Sequence, residues 1–176
     1  MIYPQQYSLS DDGTFPNSRL PLLVYRQPLG TPLDLANVLD KRFAEFEWTN
    51  SWQNGVYDYA HYHSTTHEVL GVYDGAALLQ IGGPTLGADV KVMKGDVIVI
   101  PAGVAHKQLE CSSDFGVVGA YPDGRKWDVL RGIPTERPAA DDRIAALPLP
   151  AKDPLYGIDG PLVTLWGSLD VQQKAH

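Results

Sequence analysis

The sequence predicts an all-β fold: a barrel or sandwich of short strands, one helix near the N-terminus, and a C-terminal extension that wraps the outside. Three observations predict it. From residue 55 onwards apolar and polar residues alternate with a period of two, the repeat of a half-buried strand. The alternating stretches are short and regularly spaced, with Gly, Pro and Asp between them, the spacing of a sandwich or barrel. Fourteen prolines and seventeen glycines beside nine tyrosines and four tryptophans favour many strands joined by tight turns.

Each element follows in order. Residues 8–19 are polar and turn-rich and read as an irregular arm. Leu20–Tyr25 is a short apolar strand, which Pro21 confines to a sheet edge or a strand start. A helix is expected over residues 32–47, with Thr31 as N-cap, Pro32 at the first position and Asp34 in the first turn. Leu35, Val38, Leu39, Phe43 and Phe46 form its apolar face. Trp48–Gln53 is a connector. Tyr57, Tyr59, His61 and His63 then share one face of a strand, because alternate residues point the same way. After a Ser64–Thr66 turn, strands run over 67–73 and 76–81, joined at Asp74–Gly75 by a hairpin turn. Further strands cover 90–92, 97–100, 106–109 and 115–121. Beyond residue 124 the chain is proline-rich and polar, and is expected to cover the barrel or meet a second subunit.

At 176 residues the chain is expected to be one domain: N-terminal arm and helix over 1–50, barrel core over 51–122 and C-terminal extension over 123–176. The net charge of −7 leaves no basic stripe for nucleic acid or an anionic membrane. No apolar run reaches the length of a bilayer span. The N-terminus Met1-Ile-Tyr-Pro-Gln-Gln does not read as a secretory signal, and the single cysteine, Cys111, cannot form an internal disulfide. A cytoplasmic protein is expected, with Cys111 as an inert buried or half-buried thiol.

Four of the five histidines fall in two short segments. The first runs Gly55-x5-His61-x-His63-x4-Glu68-x6-Gly75, and the second Gly95-x5-Pro101-x-Gly103-x2-His106. Neutral imidazole is the commonest metal ligand, and three imidazoles with a carboxylate suit one divalent transition metal: Fe, Mn, Ni, Zn or Cu. His61 and His63 share a strand face, and Glu68 follows one turn later. His106 comes from a third strand, after the bend at Pro101 and Gly103.

These two segments, 19 residues apart, resemble the paired signatures of the cupin superfamily, over about 50 residues. One position departs: Glu110 stands where the pattern often has Asn, a residue that is not a ligand in the family. Flanking segments also resemble a group of uncharacterised bacterial single-cupin proteins. They are Asp11–Pro16, His61–Gly71, Gly119–Pro122 and Asp153–Gly157. The resemblance implies a jelly-roll barrel (a double-stranded β-helix) with a metal inside one end. The ligands it carries over are His61, His63, Glu68 and His106. Glu68 has the alternative role of orienting a histidine, and His67, by parity with Glu68, should face away from the metal. A site of this kind keeps one or two positions open, as catalysis needs.

Around the metal, Tyr57, Tyr59, Gln80 and Gln108 are candidates for a substrate pocket, with core packing or an outward position as the alternatives. Trp52 and Trp127 either form its rim or cover the barrel. All seven arginines lie outside the expected central strands, which disfavours a dicarboxylate substrate. The expected function is oxidation of a small, largely uncharged organic molecule by dioxygen, with Glu68 taking the substrate proton. Sugar isomerisation or epimerisation is a variant on the same site. A non-catalytic binding or sensor module is the alternative of another class. A homodimer covering exposed strand edges is expected.

Overall fold

The apolar runs Leu22–Tyr25, Val97–Ile100 and Val117–Tyr121 are too continuous for a sheet with one wet face; such strands need cover on both sides. They have it in the computed structural model, which describes the backbone of residues 1–174 and the side chains of residues 1–169. In chain order the elements are β1 (Gln5–Leu9), β2 (Ser18–Tyr25), α1 (Leu35–Glu45), β3 (Trp48–Asn54), β4 (Glu68–Asp74), β5 (Ala76–Ile81) and β6 (Ala88–Met93). They continue with β7 (Val97–Ile100), β8 (His106–Cys111), β9 (Gly116–Pro122), a single 3-10 turn at Pro134–Glu136, α2 (Ala139–Ala146) and α3 (Pro161–Lys174). Two antiparallel sheets form, one of six strands in the order β1-β2-β7-β4-β9-β3 and one of three in the order β6-β5-β8. The chain crosses between the sheets after β4, after β6, after β7 and after β8. This double layer is the jelly-roll architecture, mostly β with helices outside.

Among the described residues the two larger apolar clusters flank the six-stranded sheet. The inner one lies between the sheets, where Leu22, Val24, Leu70, Val72, Ile98, Ile100 and Val117 meet Leu79, Ile81, Val90 and Val92. The outer one lies on the other face of the six-stranded sheet. There Leu23, Tyr25, Val69, Val97, Val99, Val118 and Ala120 pack against Leu35, Leu39 and Phe43 of α1 and Leu162 and Trp166 of α3. Alternation along β4 assigns Leu70 and Val72 inward and Val69 outward, as a period of two requires.

Several elements differ from expectation, each for a physical reason. The helix is shorter than 32–47. Its N-cap is Asp34, without a side-chain cap bond, and its buried stripe Leu35, Leu39 and Phe43 sets its extent. Leu33, fully exposed, stays outside. The N-terminal arm contains a strand: β1 pairs with β2, so β2 is not at the edge. Pro21 is accommodated because the ladder from β2 to β7 begins only at Leu23. The expected connector 48–53 is the edge strand β3; only Trp48 is buried there, so the polar residues of a wet edge mask the period. A shift in register between Thr49 and Trp52 breaks the pattern further. Conversely, residues 57–63 form no regular strand. They join β8 through the His61–His106 bridge and a bond from the Gln108 amide to the Tyr57 carbonyl, 2.9 Å. Asp74–Gly75 is a corner and not a hairpin, since β4 pairs with β7 and β9 while β5 pairs with β6 and β8. The C-terminal extension carries two helices, and α3 completes the outer cluster. Its entry is tied by Asp153, whose carboxylate accepts from the Tyr25 hydroxyl and from the amides of Leu155 and Leu162. Among the described residues no helix is long and apolar enough to cross a membrane.

Candidate metal centre

Glu68 is the first residue of β4 and His106 the first of β8, so one belongs to each sheet. The segment 55–67 arches between the sheets at this end and brings His61 and His63. Two backbone hydrogen bonds lock His61 to His106, at 3.2 and 2.9 Å. The carbonyl of His63 accepts from the Gly103 amide at 2.8 Å. Gly103 needs to be glycine: its φ is +93°, and a Cβ there would stand 2.3 Å from the Asn17 carbonyl oxygen. The Ser64–Thr65 turn is clamped by Asp128. Its carboxylate accepts from the Ser64 amide at 2.7 Å and from both hydroxyls. Those bonds hold the Asp128 carboxyl below its ordinary range even though burial works the other way.

All three imidazoles point the same nitrogen inward. Nδ1 of His61 faces the Tyr59 carbonyl at 3.1 Å, Nδ1 of His106 faces the Val104 carbonyl at 3.1 Å, and Nδ1 of His63 faces the Asp128 carbonyl. A carbonyl can only accept, so each Nδ1 carries a proton, and in the neutral ring Nε2 is left free. The ligand atoms of His61, His63 and His106 lie within 4.8 Å of one another, an arrangement that could hold a metal ion. Oε2 of Glu68 stands 3.3 Å from Nε2 of both His63 and His106. All four side chains are buried.

Burial lowers the pKa of His61 to about 2, helped by His106, so this ring stays neutral. Burial also opposes a charge on His63, but the Glu68 carboxylate outweighs it and raises the pKa above the ordinary value. Burial works against ionised Glu68 too; the His63 and His106 imidazoles overcome it and hold the carboxyl well below its usual range.

A cavity of about 340 Å³ opens onto these groups. Its walls include Trp52, Tyr57, Leu70, Tyr121 and Trp127, with Gln53 and Asn54 at one side. Among the described residues no lysine or arginine lines it. Tyr57 lies at the mouth, while Tyr59 stacks on Tyr57 at 4.7 Å and is capped by the Arg131 guanidinium 3.7 Å above its ring. Tyr59 therefore supports the wall from outside. Gln80 is not in the pocket: it shares the outer face of β5 with Leu78, while Leu79 and Ile81 face inward. Gln108 shares a face with His106 but lies beyond the cavity lining, close under Gly55. Trp52 and Trp127 both line the cavity. Cys111 is exposed, at the end of a strand whose last three residues are solvated.

His67 turns to the other side of the sheet. Its Nδ1 accepts from the Ala102 amide at 3.0 Å, and its ring lies 5.0 Å from that of Trp166. Tyr121 was not singled out from the sequence. Its hydroxyl donates to Oε1 of Glu68 at 2.9 Å and accepts from Nε1 of Trp52 at 2.7 Å. The signal that could have found it is parity: Tyr121 is four residues beyond Val117, on the inner face of β9.

A cupin family model matches residues 48–119. The uncharacterized protein YjlB of Bacillus subtilis (strain 168) is 42% identical over 163 residues, which cover 92% of this chain and 96% of that protein. Among solved structures, an acireductone dioxygenase from Bacillus anthracis with a cadmium ion in its active centre is similar at 18% identity and a TM-score of 0.40, over 57% of this chain and 76% of that one. An 11S globulin from Wrightia tinctoria is similar at 18% identity and a TM-score of 0.37 over 46% of this chain; the match spans 22% of the globulin.

Proposed function

The chain belongs to the cupin family, and from that premise we propose that it is a metal-dependent enzyme that oxidises a small, largely uncharged organic molecule with dioxygen. One observation carries the metal reading. Three imidazoles, each with a carbonyl on its Nδ1, bring their ligand atoms within 4.8 Å of one another, and two of them, His63 and His106, also turn Nε2 to one Glu68 oxygen. Unprotonated nitrogens 3.3 Å from a carboxylate oxygen repel it unless a proton or a cation stands between them. Three imidazoles and one carboxylate fit a divalent Fe, Mn, Ni, Zn or Cu ion, with His61, His63, His106 and Glu68 as its ligands. When bound, such an ion supplies Lewis acidity to a substrate oxygen and, if redox-active, brings dioxygen into the reaction.

The remaining roles belong to the chain. The aromatic walls of the cavity exclude water and grip an apolar body, and Gln53 and Asn54 offer hydrogen bonds. With no cation in the lining, a second carboxylate on the substrate would be buried unpaired, which is costly. Glu68 is held ionised at the floor of the cavity, where it can take a proton from a substrate hydroxyl. Tyr57 is placed to touch the substrate at the mouth. A cytoplasmic homodimer belongs to the same reading; the unpaired outer edges of β1 and β6 support it, because a second copy would cover them.

Elemental analysis of the purified protein, followed by oxygen-uptake measurements against enols and diols, tests the proposal. The expected result is one redox-active ion per chain and substrate-dependent oxygen consumption. A tightly held zinc ion with no turnover would instead make the protein a binding module.

A further inference from the structure

The two oxygens of Glu68 have different partners. Oε2 faces the Nε2 atoms of His63 and His106. Oε1 accepts a hydrogen bond from the Tyr121 hydroxyl at 2.9 Å. That hydroxyl accepts in turn from the indole N–H of Trp52 at 2.7 Å. Indole nitrogen can only donate, so the single hydroxyl proton of Tyr121 is left free to go to Oε1. Trp52, Tyr121 and Glu68 therefore form a relay with one direction. Packing holds it in place. Trp127 stacks on the Tyr121 ring at 4.8 Å with an interplanar angle of 12°. Trp52 crosses β9 at Gly119, where a Cβ would stand 2.3 Å from the indole, so only glycine admits it.

We propose that Tyr121 is a positioning residue for metal uptake. By holding Oε1 it keeps Oε2 turned towards the imidazoles of His63 and His106 before any ion arrives. The inference rests on the reading of His61, His63, His106 and Glu68 as a metal site. Trp52 acts through Tyr121 by fixing the direction of its hydroxyl, a hydrogen-bonded support of the kind that tunes metal ligands.

Titration of the full-length protein with Co(II) tests it, with calorimetry reading affinity and visible absorption reading the ligand field. Tyr121→Phe keeps the ring and its stack on Trp127 but removes the grip on Oε1. It is expected to weaken Co(II) binding by about 10-fold or more and to shift the absorption bands. Trp52→Phe removes the donor to the hydroxyl, with part of the indole, and leaves Tyr121 in place; it should shift both readouts the same way by less, and it carries the test should Tyr121→Phe not fold. Folded variants with wild-type affinity and wild-type bands would overturn the inference alone, provided that the wild type binds Co(II) and the variant with all three histidines changed to alanine does not. A wild type that takes up no Co(II) would overturn both the inference and the metal reading beneath it.

Discussion

Buried histidines lie on both sides of the six-stranded sheet, in two kinds of environment. On the inner side His61, His63 and His106 bring their ligand atoms together, and His63 and His106 also face Glu68 through Nε2. On the outer side His67, the neighbour of Glu68 in sequence, packs alone against Trp166. Its Nδ1 is an acceptor, the reverse of the inner set, and among the described residues its Nε2 has no hydrogen-bond partner. Burial acts on both sides, lowering His61 to about 2 and His67 to about 4. The difference lies in the surroundings: other imidazoles and a carboxylate inside, the Trp166 ring and the backbone at Pro148 outside. Convergence makes a buried histidine a candidate ligand; burial alone leaves it a core residue.

The largest expected effect breaks the inner set. Replacing His61, His63 and His106 together with alanine should abolish stoichiometric metal uptake in elemental analysis, while His67→Asn leaves it intact. The outer side answers to stability. Trp166→Ala removes a fully buried indole that packs on His67 and donates to the Pro21 carbonyl. It should cost about 3–5 kcal/mol in urea unfolding without changing metal content in the fraction that stays folded. The Asp128 clamp should lie between the two, since it touches the inner site through the backbone. Asp128→Ala frees the Ser64–Thr65 turn and should lose about 1–3 kcal/mol together with some metal affinity, read by unfolding and calorimetry.

Acid sharpens the comparison further. Burial lowers the pKa of His67 from the ordinary 6.5 to about 4, so the folded ring resists a proton that the unfolded ring accepts. Its contribution to stability is complete above pH 6.5 and is lost as the pH falls towards 4. In metal-free protein His67→Asn, which keeps an acceptor for the Ala102 amide, should show a shallower loss of stability across that window; an unchanged slope would refute the assignment. The smallest effect is expected at Gln80. On the outer face of the three-stranded sheet, Gln80→Ala should alter stability by less than about 0.5 kcal/mol and leave metal binding as it was.

Much of this was legible in the order of the residues. The helix stripe Leu35, Leu39 and Phe43 and the runs of β7 and β9 are visible because burial and periodicity agree there. Tyr57, Trp52 and Trp127 were likewise readable as pocket or rim residues. Other features were hidden by partners distant in sequence. β3 is polar because it is an edge, and it became a strand only by pairing with β9. Asp74–Gly75 carries a hairpin signal, but β7 and β9 claimed β4, and β6 and β8 claimed β5. Gln80 and Gln108 looked equivalent on paper, and register placed them on opposite faces of one sheet.

What the sequence determined by itself was the donor set and its spacing. The x in His61-x-His63 places two imidazoles on one side of the chain, and parity separates His67 from Glu68, because backbone geometry imposes both locally. Only the tertiary structure decided which nitrogen each ring exposes, because the Tyr59, Val104 and Asp128 carbonyls that fix the tautomers belong to different segments. It also decided that Tyr121 reaches Glu68 from across β4 and β9. Hydrogen bonds between residues far apart in the chain have no periodicity to reveal them; they exist once the sheets have closed.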